Sequence, residues 1–149
     1  MTIINVAAKI LEIQGSMTTM KLQKLAYYSQ AHSLATTGLS LFPEDFEAWR
    51  NGPVSLELFN RHRGRFMIHH KELLFTRYEN GIILDQEQVD IINAVCNKLG
   101  KLTGNELSER THQEAPWIQA RIGIPEHMGS EEIISKQSMR DYYMKHPIV

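Results

Sequence analysis

The chain has 149 residues, 42% of them apolar and 22% charged, a balance that suits one globular domain with its own core and excludes a disordered, fibrous or membrane-spanning chain. Sixteen basic residues against seventeen acidic ones leave a formal charge of -1, so no overall field draws the molecule to nucleic acid or anionic lipid, and any such binding has to be local. One cysteine, Cys96, excludes an internal disulfide and a multi-cysteine zinc site, and in the apolar run IINAVCNKLG it reads as a buried thiol.

The amino terminus, MTIINVAAKILEIQG, has neither a basic leader nor a small-residue cleavage site. No apolar run approaches the about 20 residues of a membrane span, so the expected location is the cytoplasm. Ile3, Val6, Ala7, Ile10 and Leu11 recur at spacings of three and four up to Gly15, which predicts a first helix. Thr18 or Thr19 caps a second, MKLQKLAYYSQAHSLATTG, with Leu22, Leu25, Ala26, Ser29 and Ser33 on one face and Gly38 at the end. Its small residues after Leu25 admit a close neighbour, which marks this helix as central.

In LFPEDFEAW the helical period breaks, and the alternation around Phe46 to Trp49 predicts a short strand. Arg50-Asn51-Gly52 turns the chain. Pro53 suits the first position of a helix, continued by Val54, Leu56 or Leu58, and Phe59. After the basic run RHRGRFMIHHK, the segment LLFTRYENGIIL over 73–84 carries the strongest short hairpin signal in the chain, Glu79-Asn80-Gly81. Asp85 with Gln88 caps a helix through Val89, Ile92, Val95, Cys96 and Leu99 that stops at Gly100. Thr103 with Glu106 caps another over GNELSERTHQE, which Pro116 interrupts before one more turn from Trp117 to Arg121. Ser130 opens the last helix, with Ile133, Ile134, Met139, Tyr142 and Tyr143 as its apolar residues. The fold class is therefore α+β and mostly helical. It is a single domain of about five or six helices with a small antiparallel sheet, a strand near 46–49 and a hairpin near 73–84, and no separate DNA-binding domain.

Four constellations bear on chemistry. His112 near Glu109 and Glu114 has a faint look of the His-x-Glu of zinc deaminases, but that motif needs a paired-cysteine segment which a one-cysteine chain lacks. A helix-end histidine bonding a backbone group is the better reading, with a small hydrolase centred on His112 as the rival. The basic residues Arg61, Arg63 and Arg65 would meet phosphates in a nucleic-acid-binding regulator, yet no helix-turn-helix or RNA-binding signature surrounds them, and a solvated loop explains them as well. His69 and His70, being adjacent, point apart. Lys24 and Tyr28, four apart on the second helix, face away from the Leu22/Ser29 stripe and join Trp49, Arg50 and Asn51 as a candidate binding surface. Tyr, Trp and Arg are the side chains that dominate interface centres; the same residues also finish cores, and spacing alone does not decide between the two. Neither a catalytic set, a metal site nor a cofactor-binding loop is indicated.

Three stretches in this order, Lys21-Leu22-Gln23-Lys24-Leu25 with Tyr27-Tyr28, Glu47-Ala48-Trp49 with Gly52-Pro53-Val54, and Leu107-Ser108 through Thr111-His112 to Pro116-Trp117, resemble the Panacea domain family. That family contains the SocA-type antitoxins and the GepA-like phage-associated proteins. The resemblance covers nearly the whole chain. It implies a mostly helical domain with a small sheet, acting without enzymatic activity as the antitoxin of a two-gene toxin–antitoxin system. The implied partner is a protein toxin encoded next door, neutralised by direct binding or handed to an ATP-dependent protease. On this reading Leu22, Leu25, Gly52, Pro53, His112, Pro116 and Trp117 are structural, and Lys24, Tyr28, Trp49, Arg50 and Asn51 face the toxin.

Overall fold

The computed structural model describes residues 1–69, 72 and 84–149. Its centre is the helix α2 (Thr19–Thr37), in which Leu22 to Ala31 are buried without interruption. A helix buried on every side has to find partners for its polar residues as well as its apolar ones. Gln23 does so with the backbone of Ser55, donating from Nε2 to the carbonyl (3.1 Å) and accepting from the amide at Oε1 (2.9 Å). Gln30 repeats the pattern, donating to the Phe42 carbonyl (2.8 Å) and accepting from the Leu41 amide (2.7 Å). Ser29 and Ser33 bond the carbonyls of Leu25 and Leu39.

Around α2 pack α1 (Ile3–Gln14), α4 (Gln86–Leu99), α5 (Gly104–Thr111) and α7 (Lys136–Lys145), with α3 (Leu56–His62) and α6 (Ala115–Ala120) closing the ends. The expected caps are present: Thr18 on α2, and full capping boxes of Asp85 with Gln88 on α4 and Thr103 with Glu106 on α5. Gly15 and Gly38 end α1 and α2 at positive φ. Between the helices Tyr27, Tyr28, Phe46 and Tyr143 meet edge to face at centroid distances of 5.2–6.2 Å. Cys96 is buried there too, its thiol pushed up to about 11 by burial.

A three-stranded sheet of order β3-β2-β5 joins β2 (Phe46–Trp49), β3 (Gly52–Val54) and β5 (Ile133–Ile134), and β1 (Met17–Thr18) pairs with β4 (Met67–Ile68). All pairings are antiparallel. The fold is thus α+β and mostly helical, with seven helices among the described residues rather than five or six. The hairpin expected over 73–84 lies, except for Leu84, on residues outside the described set, as does His70.

Three local expectations are corrected. Pro53 lies opposite Ala48 in the edge strand β3, where its missing amide hydrogen breaks no ladder, and helix α3 starts later, at Leu56, with Ser55 as its cap. Ile133 and Ile134 belong to β5, paired with Glu47 and Phe46, and the last helix opens at Ser135 instead of Ser130. Arg61 and His62 lie in the final turn of α3, outside any loop, and His62 is buried with its Nε2 3.0 Å from the Gln23 amide.

Candidate functional site

Strands β2 and β3 form a hairpin whose tip is Arg50-Asn51. Among the described residues none other than glycine has positive φ, and Gly52, at φ 111°, takes the conformation that completes the turn. A Cβ at position 52 would also stand 2.7 Å from Lys24 Cε and 2.9 Å from Thr111 Oγ1. Glycine here satisfies both a backbone and a packing demand.

The tip is held by its main chain. Arg121 Nη1 donates to the Ala48 carbonyl (2.8 Å) and Trp117 Nε1 to that of Trp49 (2.8 Å). The His112 ring interacts with the Arg50 backbone, and Ser108 Oγ donates to the Asn51 carbonyl. Three of the four carbonyls, those of Ala48, Trp49 and Asn51, are thereby hydrogen-bonded by side chains from α5, α6 and their ends, and the fourth residue lies against His112. The gripping groups support each other: His112 stacks on Trp117 at 4.1 Å, and the Arg121 guanidinium lies 4.9 Å from the centre of the Trp117 ring. Arg121, buried despite its charge, also donates to the carbonyls of Pro125 and Glu126 (3.0 and 3.3 Å). Burial holds the His112 imidazole below its usual pKa, and its Nε2 has no partner among the described residues.

With the backbone secured, the tip side chains point outward. Arg50 and Asn51 are exposed, and Trp49 is half-buried, edge-on to Phe59 at 5.1 Å with its Nε1 donating to Glu47 (2.8 Å). Trp49 and Arg50 form a ridge between two hollows. One is wide, about 810 Å³, bounded by Ile124, Glu131, Glu132 and Ile133. The other is about 200 Å³, lined by Met20, Val54, Phe59, His62 and, inside, Lys24.

The expectation that Lys24 and Tyr28 form an outer face is corrected, because α2 has no outer face at that level. Lys24 is 1% exposed and Tyr28 0%. Tyr28 belongs to a closed network: its hydroxyl donates to Glu114 Oε1 (2.6 Å), Tyr143 donates to the same oxygen (2.8 Å), and Arg110 Nε donates to Oε2 (3.4 Å). Burial first, then Glu114, pushes the Tyr28 phenol far up. Lys24 has no hydrogen bond or ion pair among the described residues, and burial lowers its pKa to about 7. Leu22, Leu25, Pro116 and Trp117 are buried.

The rival constellations are brought together only in part: the charge of Glu109 acts on the His112 ring. Glu114 is turned into the tyrosine network while His112 lies on Trp117, so the two share no hydrogen bond. In the basic run Arg65 pairs with Glu72 and Arg63 lies over Phe59 at 5.5 Å. Among the described residues, no helix is long and apolar enough to cross a membrane. The residue pattern alone did not assign the structural roles of Arg121, Glu114, Phe59 and Ser108; an arginine directly after the apolar turn Ala115–Ala120 was the one visible hint.

A family model described as "Antitoxin SocA-like, Panacea domain" matches residues 22–118 of the 149. The chain belongs to this family of antitoxin-like domains, and a role in a toxin–antitoxin system goes with it. No curated protein and no solved structure matches the chain. The match spans all three stretches that converge on the hairpin tip: Gln23 and Lys24 beneath it, residues 47–54 forming it, and Ser108, His112 and Trp117 gripping it.

Proposed function

We propose that this chain is a non-enzymatic antitoxin that neutralises a protein toxin by direct binding through the hairpin tip, with Trp49, Arg50 and Asn51 as the contact residues and Lys24 reached through the pocket beside them. The observation that carries this reading is the grip on four consecutive backbone positions. Such a grip spends structural side chains on holding a turn whose own side chains face outward. A prefixed tip loses little conformational entropy on docking, and its aromatic and guanidinium groups are the types that concentrate binding energy. Tyr28 has no part in the contact, since it serves the Glu114 network.

The test is co-expression with the product of the neighbouring gene, scoring growth and then isolating the complex. Rescue by the wild-type chain, with loss of rescue in Trp49→Ala and Arg50→Glu variants that keep their circular dichroism and melting temperature, supports direct binding through the tip. Rescue that survives both variants removes the tip from the contact. Rescue that needs an ATP-dependent protease and lowers the toxin level assigns the chain to delivery rather than blocking.

A further inference from the structure

The small pocket beside Trp49 is lined in part by Val54, Phe59 and His62 and by two cations, Lys24 and Arg50, with no carboxylate among its lining residues. Its inner charged residue, Lys24, is 1% exposed, and its amine has no hydrogen bond or ion pair among the described residues. Gln23 and Thr111 nearby are committed: Gln23 uses both ends of its amide on Ser55 and meets His62, and Thr111 Oγ1 donates to the Ser108 carbonyl (2.6 Å), while His112 Nε2 has no partner among the described residues. A buried cation without a counter-ion is unfavourable in the isolated molecule and becomes favourable when an anion enters.

From this arrangement we infer that the pocket is an anchor site for a single carboxylate on an apolar stem, with the Lys24 ammonium as its counter-ion and Trp49, Phe59 and Val54 against the stem. A dianion such as phosphate wants several convergent donors, and here the Lys24 ammonium lies beside an amide and a histidine already engaged with each other, with Arg50 at the exposed tip. The volume, about 200 Å³, is below the roughly 300–1,000 Å³ of small-molecule sites and suits one amino-acid side chain. The occupant is therefore an acidic side chain or chain end of a bound polypeptide. This assignment of source rests on the antitoxin reading above; the carboxylate chemistry does not.

Two experiments separate the two. In the first, the free full-length protein is titrated at pH 6.5 with butyrate, and in parallel with butyramide, its neutral counterpart, while the Lys24 side-chain carbon resonance is followed by NMR. Lys24 is faced by His62 from α3, His112 from the end of α5 and Arg50 from the hairpin, so their resonances are followed as well. Butyrate is expected to shift Lys24 in a saturable way and raise its titration midpoint by at least half a pH unit; butyramide is expected to do neither. Equal responses to the two compounds, or none to butyrate at 100 mM scale concentrations, overturn the site (~100 mM reaching weak single-contact affinities).

In the second, the neighbouring gene's product is titrated against the wild-type chain and the Lys24→Met variant, both checked for folding by thermal melting. At least a tenfold loss of affinity in the variant is expected. Unchanged affinity, with butyrate still bound by the wild type, overturns the polypeptide as occupant and leaves a free acid. A neighbour that binds neither chain overturns the antitoxin reading, while the butyrate titration still decides the pocket.

Discussion

Lys24 and Tyr28 stand one turn apart on the same stripe of α2, both buried, both polar, in opposite circumstances. The Tyr28 hydroxyl ends in a carboxylate that also takes Tyr143 and Arg110, and the Arg110 guanidinium lies 5.3 Å from the centre of its ring. The Lys24 amine ends in a pocket. Fully satisfied polar clusters rigidify a core, whereas an uncompensated charge weakens it. The first arrangement belongs to the fold, and the second leaves an amine facing a pocket.

The largest expected break of this contrast is at Glu114. Removing its carboxylate with Glu114→Ala strands the Tyr28 hydroxyl, leaves Tyr143 only its contact with the Tyr27 hydroxyl and frees the Arg110 side chain, and a loss of about 3 kcal/mol in urea-unfolding free energy is expected. A variant as stable as the wild type would mean that the network contributes no stability. The opposite sign is expected at Lys24. Its folded pKa of about 7 lies below the ordinary lysine value of roughly 10.4, so the unfolded chain binds more protons between these limits. Burial of this group is therefore fully unfavourable below pH 7 and is relieved as pH rises through 10. Lys24→Met should gain roughly 1–3 kcal/mol at pH 7, and the advantage over the wild type should shrink by pH 9.5. Urea midpoints for both chains at the two pH values measure it; a Lys24→Met chain less stable than the wild type contradicts the comparison. The smallest effect is expected from Arg50→Ala with Asn51→Ala, whose exposed side chains support nothing in the fold. A change within about 0.5 kcal/mol is expected, and a loss above 2 kcal/mol would make the tip structural.

The parts of this contrast differ in how far they could be read from the residues alone. Caps such as Thr103 with Glu106 and Asp85 with Gln88 were legible because donor and acceptor lie three residues apart. The burial of Lys24 and Tyr28 was not, since a helical wheel assumes that one face meets water. The available signal was that α2 carries only Lys21 and Lys24 as charges and no acid over nineteen residues, a composition poor for a surface helix. The strand at Ile133–Ile134 and the edge position of Pro53 depend on pairing with β2, which no local window contains. Trp49, Arg50 and Asn51 were picked out by residue type and lie together at the tip, while Arg121, buried and bonded to backbone oxygens far along the chain, follows from no spacing.

The grip on the hairpin acts on main-chain groups, and every amino acid has those. Arg121, Trp117, His112 and Ser108 hold positions 48 to 51 without consulting the side chains of Arg50 and Asn51. The conformation of the tip is thereby uncoupled from its chemistry. A domain built this way can exchange the letters it displays while keeping the shape that displays them, so a new partner can be met by substitution at a few positions with no repacking behind them.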